Sequence, residues 1–340
     1  MTELHRALRW EPEEEMAVRC SVCNHRCMIR DGKTGICGVR LNQGGTLYAT
    51  TFGKVSAEAV DPIEKKPLYH FLPGTLSYSL GSVGCNFHCE HCQNWHISQA
   101  DRGFPGLMDL SPEEGVKRAA ARGCASISWT YNEPAIWHEY PLEMGGIARK
   151  QGIGTVYVTN GYITEEALRD LAPMLNAYRV DIKAFRDEFY RKVCGARLQP
   201  VLDSAVLARE LGMHVEVVNL VIPGENDSPE ETGELIRWIV EHLGPETPVH
   251  FTRFHPDYHM QDRGATPVAT LERIYRQARE LGLRFPYLGN VFSHPFESTY
   301  CPVCGEILIE RSGFSSIFRN LSGHTCGKCG ETIEYVDAVR

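Results

Sequence analysis

Eleven of the thirteen cysteines fall in three tight groups, and the spacing inside each group limits what the surrounding chain can become. Cys20, Cys23, Cys27 and Cys37 form the first group. Cys85, Cys89 and Cys92 form the second. Cys301, Cys304, Cys326 and Cys329 form the third, and Cys124 and Cys194 stand alone. The count is odd, the chain has 340 residues, and its opening MTELHRALRWEPEEE carries no apolar leader. A disulfide framework is therefore a poor fit, and the expectation is a reducing cytoplasm in which thiols bind metal. No run approaches the roughly 18 apolar residues that a membrane span needs. Acidic residues outnumber basic ones, 43 to 35, so the charge gives nucleic-acid binding no support.

Between the second and third groups the chain alternates strand and helix signals. Strands are expected over 76–82, 124–131, 155–160, 177–185, 214–222, 248–254 and 285–291. Helices are expected near 112–122, 135–151, 164–176, 200–212, 228–243 and 268–282. Ser111-Pro112-Glu113-Glu114 and Ser228-Pro229-Glu230-Glu231 are helix starts, and Gly123, Gly212, Gly244 and Gly282 lie near helix ends. Crossovers of this length imply a parallel sheet covered by helices. The α/β pattern suits an incomplete TIM-like (β/α)6 barrel with its active groups at the carboxyl ends of the strands. A doubly wound sheet is the structural alternative. The chain divides into a cysteine-rich N-terminal metal-binding segment (1–75), a core (76–295) and a small zinc-ribbon-like module (296–340).

Cys85-x3-Cys89-x2-Cys92 follows the first core strand. Three thiolates in one loop can hold three corners of a cubane iron–sulfur cluster and leave one iron open to a small molecule. Zinc completed by His88, His91 or His96, or three structural cysteines, are the alternatives. Cys301-x2-Cys304 and Cys326-x2-Cys329 supply two thiolates each from two turns, which closes a tetrahedral zinc site with no vacancy.

The central spacing resembles the CxxxCxxC motif of the radical S-adenosylmethionine (SAM) superfamily. With GCNFxCxxCQNW, SWTYNEP, TNGY, DIKAF, YLGN and CPxCG in this order, the chain resembles the AmmeMemoRadiSam system radical SAM enzymes, homologues of pyruvate formate-lyase activating enzymes. The resemblance spans residues 20 to about 335. It implies a radical SAM barrel and a 4Fe–4S cluster on Cys85, Cys89 and Cys92. The open iron would be chelated by S-adenosylmethionine, whose reductive cleavage gives a 5′-deoxyadenosyl radical. It also implies a low-potential donor such as flavodoxin or ferredoxin, and co-occurrence with Memo-like and AMMECR-like proteins.

The resemblance extends to single positions. His91 stands where an aromatic residue near the adenine is frequent; it can stack or hydrogen-bond there, or lie at the surface. Asn132 and Glu133 match the segment that meets the methionyl amine. Asn160 ends the third core strand, with Val158 where the activating enzymes carry an aspartate. Asp181 and Lys183 share a strand face and resemble the DLK segment of the activases, with substrate binding or proton transfer as their roles and a plain salt bridge as the alternative. Asn219 is the nearest polar candidate for carboxylate recognition. His255 is the main substrate-side candidate, and Asn290 a contact to adenine or ribose. Cys20, Cys23, Cys27 and Cys37 would hold zinc or an auxiliary 4Fe–4S cluster. Their position ahead of the central motif weighs toward zinc. The competing functional readings are a glycyl-radical enzyme activase and a non-enzymatic multi-zinc protein that binds partners.

Overall fold

Helix starts are set locally. Ser111, Thr164 and Ser228 each accept, through the hydroxyl, the backbone N–H three residues on, at Glu114, Ala167 and Glu231. Pro112 and Pro229 take the first helical position, where a missing N–H costs nothing. The computed structural model describes residues 4–291 and 293–339. Its main helices are α1 (Pro112–Ala121), α2 (Glu139–Lys150), α3 (Glu165–Leu171), α4 (Gln199–Glu210), α5 (Pro229–His242) and α6 (Val268–Glu280). Two differ from the sequence expectation. The helix expected over 164–176 stops at Leu171, because Pro173 has no N–H to continue the ladder. The one expected over 135–151 breaks into a short turn, Pro134–Trp137, and α2, because Pro141 cannot donate back to Trp137.

The main sheet has eight strands: β1 (Ala57–Pro62), β2 (Leu76–Gly81), β3 (Ser126–Trp129), β4 (Gly154–Thr159), β5 (Ala177–Asp181), β6 (His214–Val221), β7 (Val249–Arg253) and β8 (Pro286–Gly289). They lie side by side in chain order from β1 to β8. Strands β2 to β8 pair in parallel, whereas β1 runs antiparallel to β2, with Ala57 opposite Gly81 and Pro62 opposite Leu76. A doubly wound sheet reverses its order at a switch point, and this one never does. The edge strands β1 and β8 do not pair with each other. The sheet also crosses the boundary drawn at residue 75, since β1 belongs to it. No described helix is long and apolar enough to cross a membrane.

Strand alternation divides the two faces. Tyr78, Ile127, Trp129, Tyr157, Tyr178, Val217 and Phe251 belong to the large core shared with the helices. The other face carries Ser77, Ser79, Ser128, Arg179, Glu216 and His250, all buried. It is covered by chain from outside the strand–helix repeats. Ile63, Leu68, Phe71 and Leu72 pack against Val156 and Ala177, with Val336 and Val339 of the C-terminal tail beside them. Glu216, fully buried, accepts the N–H groups of Tyr69 (3.0 Å) and His70 (2.7 Å) and the imidazole N–H groups of His214 (3.0 Å) and His250 (2.6 Å). The N-terminal segment is fastened by Arg40, which pairs at 2.8 Å with Glu139 of α2 while both side chains are 2% exposed.

His70 joins this inner layer to the C-terminal tail. Its Nδ1 donates to the Glu334 carbonyl (2.8 Å), so Nε2 accepts the Tyr287 hydroxyl (2.7 Å) and the ring is neutral. Burial holds its pKa down to about 4. An unfolded histidine titrates near pH 6.5. The folded state is therefore fully favoured above that pH and loses roughly 3 kcal/mol as pH falls through 6.5 toward 4. Equilibrium unfolding at pH 7 and 4.5 checks this: a His70→Gln variant will lose less stability on acidification than the wild type.

Candidate active site

Parallel strands covered by helices leave their carboxyl ends open for a site. Here a cavity of about 430 Å³ lies there, lined by residues at the ends of β3, β4, β5 and β8 and by the loop after β2. That loop turns sharply at Gly84, whose φ is +81°. A side chain there would meet the Cys37 carbonyl at 2.5 Å, so the position admits only glycine. Asn132, after β3, holds the loop in shape. Its Oδ1 accepts the Ser82 N–H (3.0 Å), and its Nδ2 donates to the carbonyls of Gly84 (3.0 Å) and Val83 (3.3 Å).

Cys85, Cys89 and Cys92 all line the cavity. Burial and the nearby Glu133 push the Cys85 thiol well up. Cys89 is held below its usual range, first by the Cys194 thiol beside it and then by the Lys183 charge. Cys92 lies 3.2 Å from the Ser98 hydroxyl. Among the described residues, the four C-terminal cysteines are the one group of three or more such ligand atoms lying within 4.8 Å of one another. The central three do not form such a group, so they stand wider than a single tetrahedral ion draws its ligands.

The other candidates fall into two sets. Glu133, buried, accepts the Asn160 N–H (2.8 Å), the Thr159 hydroxyl (2.6 Å) and the Ala135 N–H (2.9 Å). Burial outweighs these donors and pushes its pKa up to about 7. Asn160 donates to Asn86 Oδ1 (2.8 Å) and approaches Cys85 Sγ (3.8 Å). Asp181 stands between Arg179 and Lys183, with Lys183 Nζ at 3.0 Å, and both cations hold its carboxyl below the usual range against the effect of burial. His91 is buried rather than at the surface. It lines the cavity with Nδ1 unpartnered, near the Phe189 ring, and burial holds its pKa down to about 3. Asn290 lines the cavity too.

Two candidates lie elsewhere. Alternation on β6 turns Val218 and Leu220 toward the cavity, so Asn219 faces away and donates to the Ile182 carbonyl (2.8 Å). His255 is exposed and outside the cavity, 3.0 Å from Gln93, because its loop packs over the rim instead of entering. Several cavity residues escaped sequence reading. Arg179 was legible in principle, two residues before Asp181 on the same face. Lys66 comes from the inner-face segment, and Phe314 from the C-terminal module, with no local signal in either.

The outer cysteine groups differ. In the C-terminal group Cys301 and Cys329 lie 3.5 Å apart and Cys304 and Cys326 lie 3.7 Å apart, sulfur to sulfur, which suits one tetrahedral ion. The N-terminal four line a separate cavity.

The sequence model of the Radical SAM superfamily matches residues 80–236. An uncharacterized protein of Methanocaldococcus jannaschii is 45% identical over 335 residues, covering 98% of this chain and 100% of its own. The pyruvate formate-lyase-activating enzyme of Clostridium pasteurianum is 22% identical over 58% of this chain and 88% of its own. The solved structure of a radical SAM methyltransferase from Sphaerobacter thermophilus superposes with a TM-score of 0.49, at 18% identity, over 69% of this chain and 71% of that one.

Replacing Asn132 with alanine leaves the Ser82 N–H and the Gly84 carbonyl buried without partners. The expected cost is about 2–3 kcal/mol, with a cysteine loop that holds less iron. Denaturant unfolding and iron analysis after anaerobic reconstitution read the two effects separately.

Proposed function

The chain belongs to the radical SAM superfamily and is an enzyme, and on that premise we propose that it carries a 4Fe–4S cluster on Cys85, Cys89 and Cys92 and takes a hydrogen atom from a substrate bound in the adjoining cavity. The observation that carries this reading is the shared cavity, lined both by the three cysteines and by the Arg179–Asp181–Lys183 row. When bound, the cluster and S-adenosylmethionine supply one-electron cleavage of a sulfonium carbon–sulfur bond, the source of a carbon radical able to take hydrogen.

The protein's own groups position and exclude. Asn132 lines the cavity and fixes the cysteine loop through its side-chain amide, so it orients the thiols. Glu133 and Asn160 lie beside Cys85, where a carboxylate and an amide can orient an ammonium. His91, neutral and buried, presents a ring face and a free Nδ1 to the cavity. Asp181 and Lys183 hold the polar part of the substrate, with Arg179 fixing the aspartate. Walls from Val158, Val218 and Leu220 keep water from the reacting carbon.

Finer assignments rest on the motifs. The protein acts as an incomplete (β/α) barrel of the AmmeMemoRadiSam type, takes electrons from a flavodoxin or ferredoxin, and works beside Memo-like or AMMECR-like proteins. The four C-terminal cysteines bind zinc, which holds the module that brings Phe314 to the cavity. A glycyl-radical activase is a second reading, favoured by the match to an activating enzyme over 88% of that relative's length. It requires a partner that shows a glycyl-radical doublet in electron paramagnetic resonance after turnover.

Anaerobically purified protein, reduced with dithionite in the presence of S-adenosylmethionine, will release 5′-deoxyadenosine. Replacing Cys85, Cys89 and Cys92 with alanine will abolish the product, and its absence from reconstituted wild type would sink the reading. Lys183→Ala will keep the iron–sulfur absorption but reduce substrate turnover by about 10²-fold or more, as loss of a positioning charge does.

A further inference from the structure

Cys20, Cys23, Cys27 and Cys37 come from the strand Val18–Cys20, the turn after it and the loop before Arg40. All four line one small cavity of about 10 Å³. A tetrahedral zinc with Zn–S bonds of about 2.3 Å draws its four sulfurs to about 3.8 Å from one another. The C-terminal group has that spacing. In the N-terminal group no three sulfurs lie within 4.8 Å of one another, yet all four line that cavity. Four cysteines on one cavity, set wider apart than a single tetrahedral ion draws its ligands, suit a multi-iron cluster better than zinc.

The rest of the cavity points the same way. Its walls are largely apolar, with Val22, Ile29, Ile36 and Ile136, and no carboxylate lines it. His25 also lines it, with its Nε2 2.7 Å from the Asn86 carbonyl. Arg40 is 2% exposed; its terminal nitrogens pair with Glu139, but its Nε has no partner. A buried donor left open beside four thiols is completed by an acceptor inside the cavity, such as a cysteine or inorganic sulfur.

We propose that these four cysteines bind a second 4Fe–4S cluster, with every iron held by a protein thiolate, as a redox centre adjoining the reaction site. The two sites touch through the chain. Asn86 lines the N-terminal cavity and follows Cys85, and Gly84 packs on the Cys37 carbonyl. With no open iron the second cluster has no place for S-adenosylmethionine, so one-electron storage and transfer is the chemistry left to it. Reduction adds one electron from a low-potential carrier or dithionite, and the cluster returns to its oxidised state when that electron passes on. The position of this group ahead of the central motif favours zinc; the sulfur spacing and the unpartnered Arg40 outweigh it.

Metal and sulfide analysis of anaerobically reconstituted full-length protein tests the proposal. The wild type will hold about eight irons and eight sulfides, and the Cys85/Cys89/Cys92→Ala variant about four of each. Dithionite-reduced wild type will show two cluster signals in electron paramagnetic resonance, of which S-adenosylmethionine shifts one. About four irons in the wild type and none in the variant would overturn the second cluster and leave the radical SAM reading standing. Four irons in both proteins would keep the second cluster and remove the first. The wild-type counts and spectrum decide the matter even if the variant fails to fold.

Discussion

Seven parallel strands present an inner face that must be filled without stranding its polar groups, and Glu216 marks how this protein does it. A carboxylate with no exposure would cost several kcal/mol if left alone. Two backbone N–H groups from the segment at 69–70 and two histidines from β6 and β7 satisfy it. Sheet, inner segment and C-terminal tail are therefore mutually dependent: removing the segment would uncover both the carboxylate and the apolar residues packed on β4 and β5. Fixed strand ends follow from that filling, and the cavity follows from the strand ends.

The cavity combines a thiol wall with a charged row, and different residues build and use it. Asn132 spends its whole side chain on the cysteine loop, and Gly84 lets that loop lie on the N-terminal segment. Asp181, set between two cations, stays ionised in spite of burial, whereas Glu133 receives only neutral donors and its pKa is pushed up to about 7. Two carboxyl groups lining one cavity, beyond the ends of β3 and β5, thus have their pKa values pushed in opposite directions by their neighbours.

The three cysteine groups use one residue type for three geometries. Two Cys-x2-Cys turns facing each other bring four sulfurs together. Cys-x3-Cys-x2-Cys on a single loop spreads three sulfurs along a cavity wall. The N-terminal four, spread over 18 residues of turn and strand, line one small cavity without drawing together. Spacing along the chain sets how many sulfurs one turn can aim at a point. The packing between turns sets how far apart the points lie.

Much of the fold was legible from sequence because its signals are local. Caps, prolines and alternating apolar runs located strands β2 to β8 and the six main helices, though not β1, and the two helix disagreements trace to Pro173 and Pro141. The cysteine groups were legible for the same reason, since ligand spacing is a property of short segments. Asn219 and His255 were not: each sits in a strand or exit loop of the right kind, but facing is decided by register and by how a loop packs on its neighbour. Lys66 and Phe314 were beyond reach, because they enter the cavity from segments distant in sequence. The sequence by itself determined the strand–helix order, the cysteine spacing and the superfamily motif. Only the tertiary structure decided which side chains share the cavity, what covers the inner face and how far apart the thiols stand, because these depend on contacts between segments that no local pattern encodes.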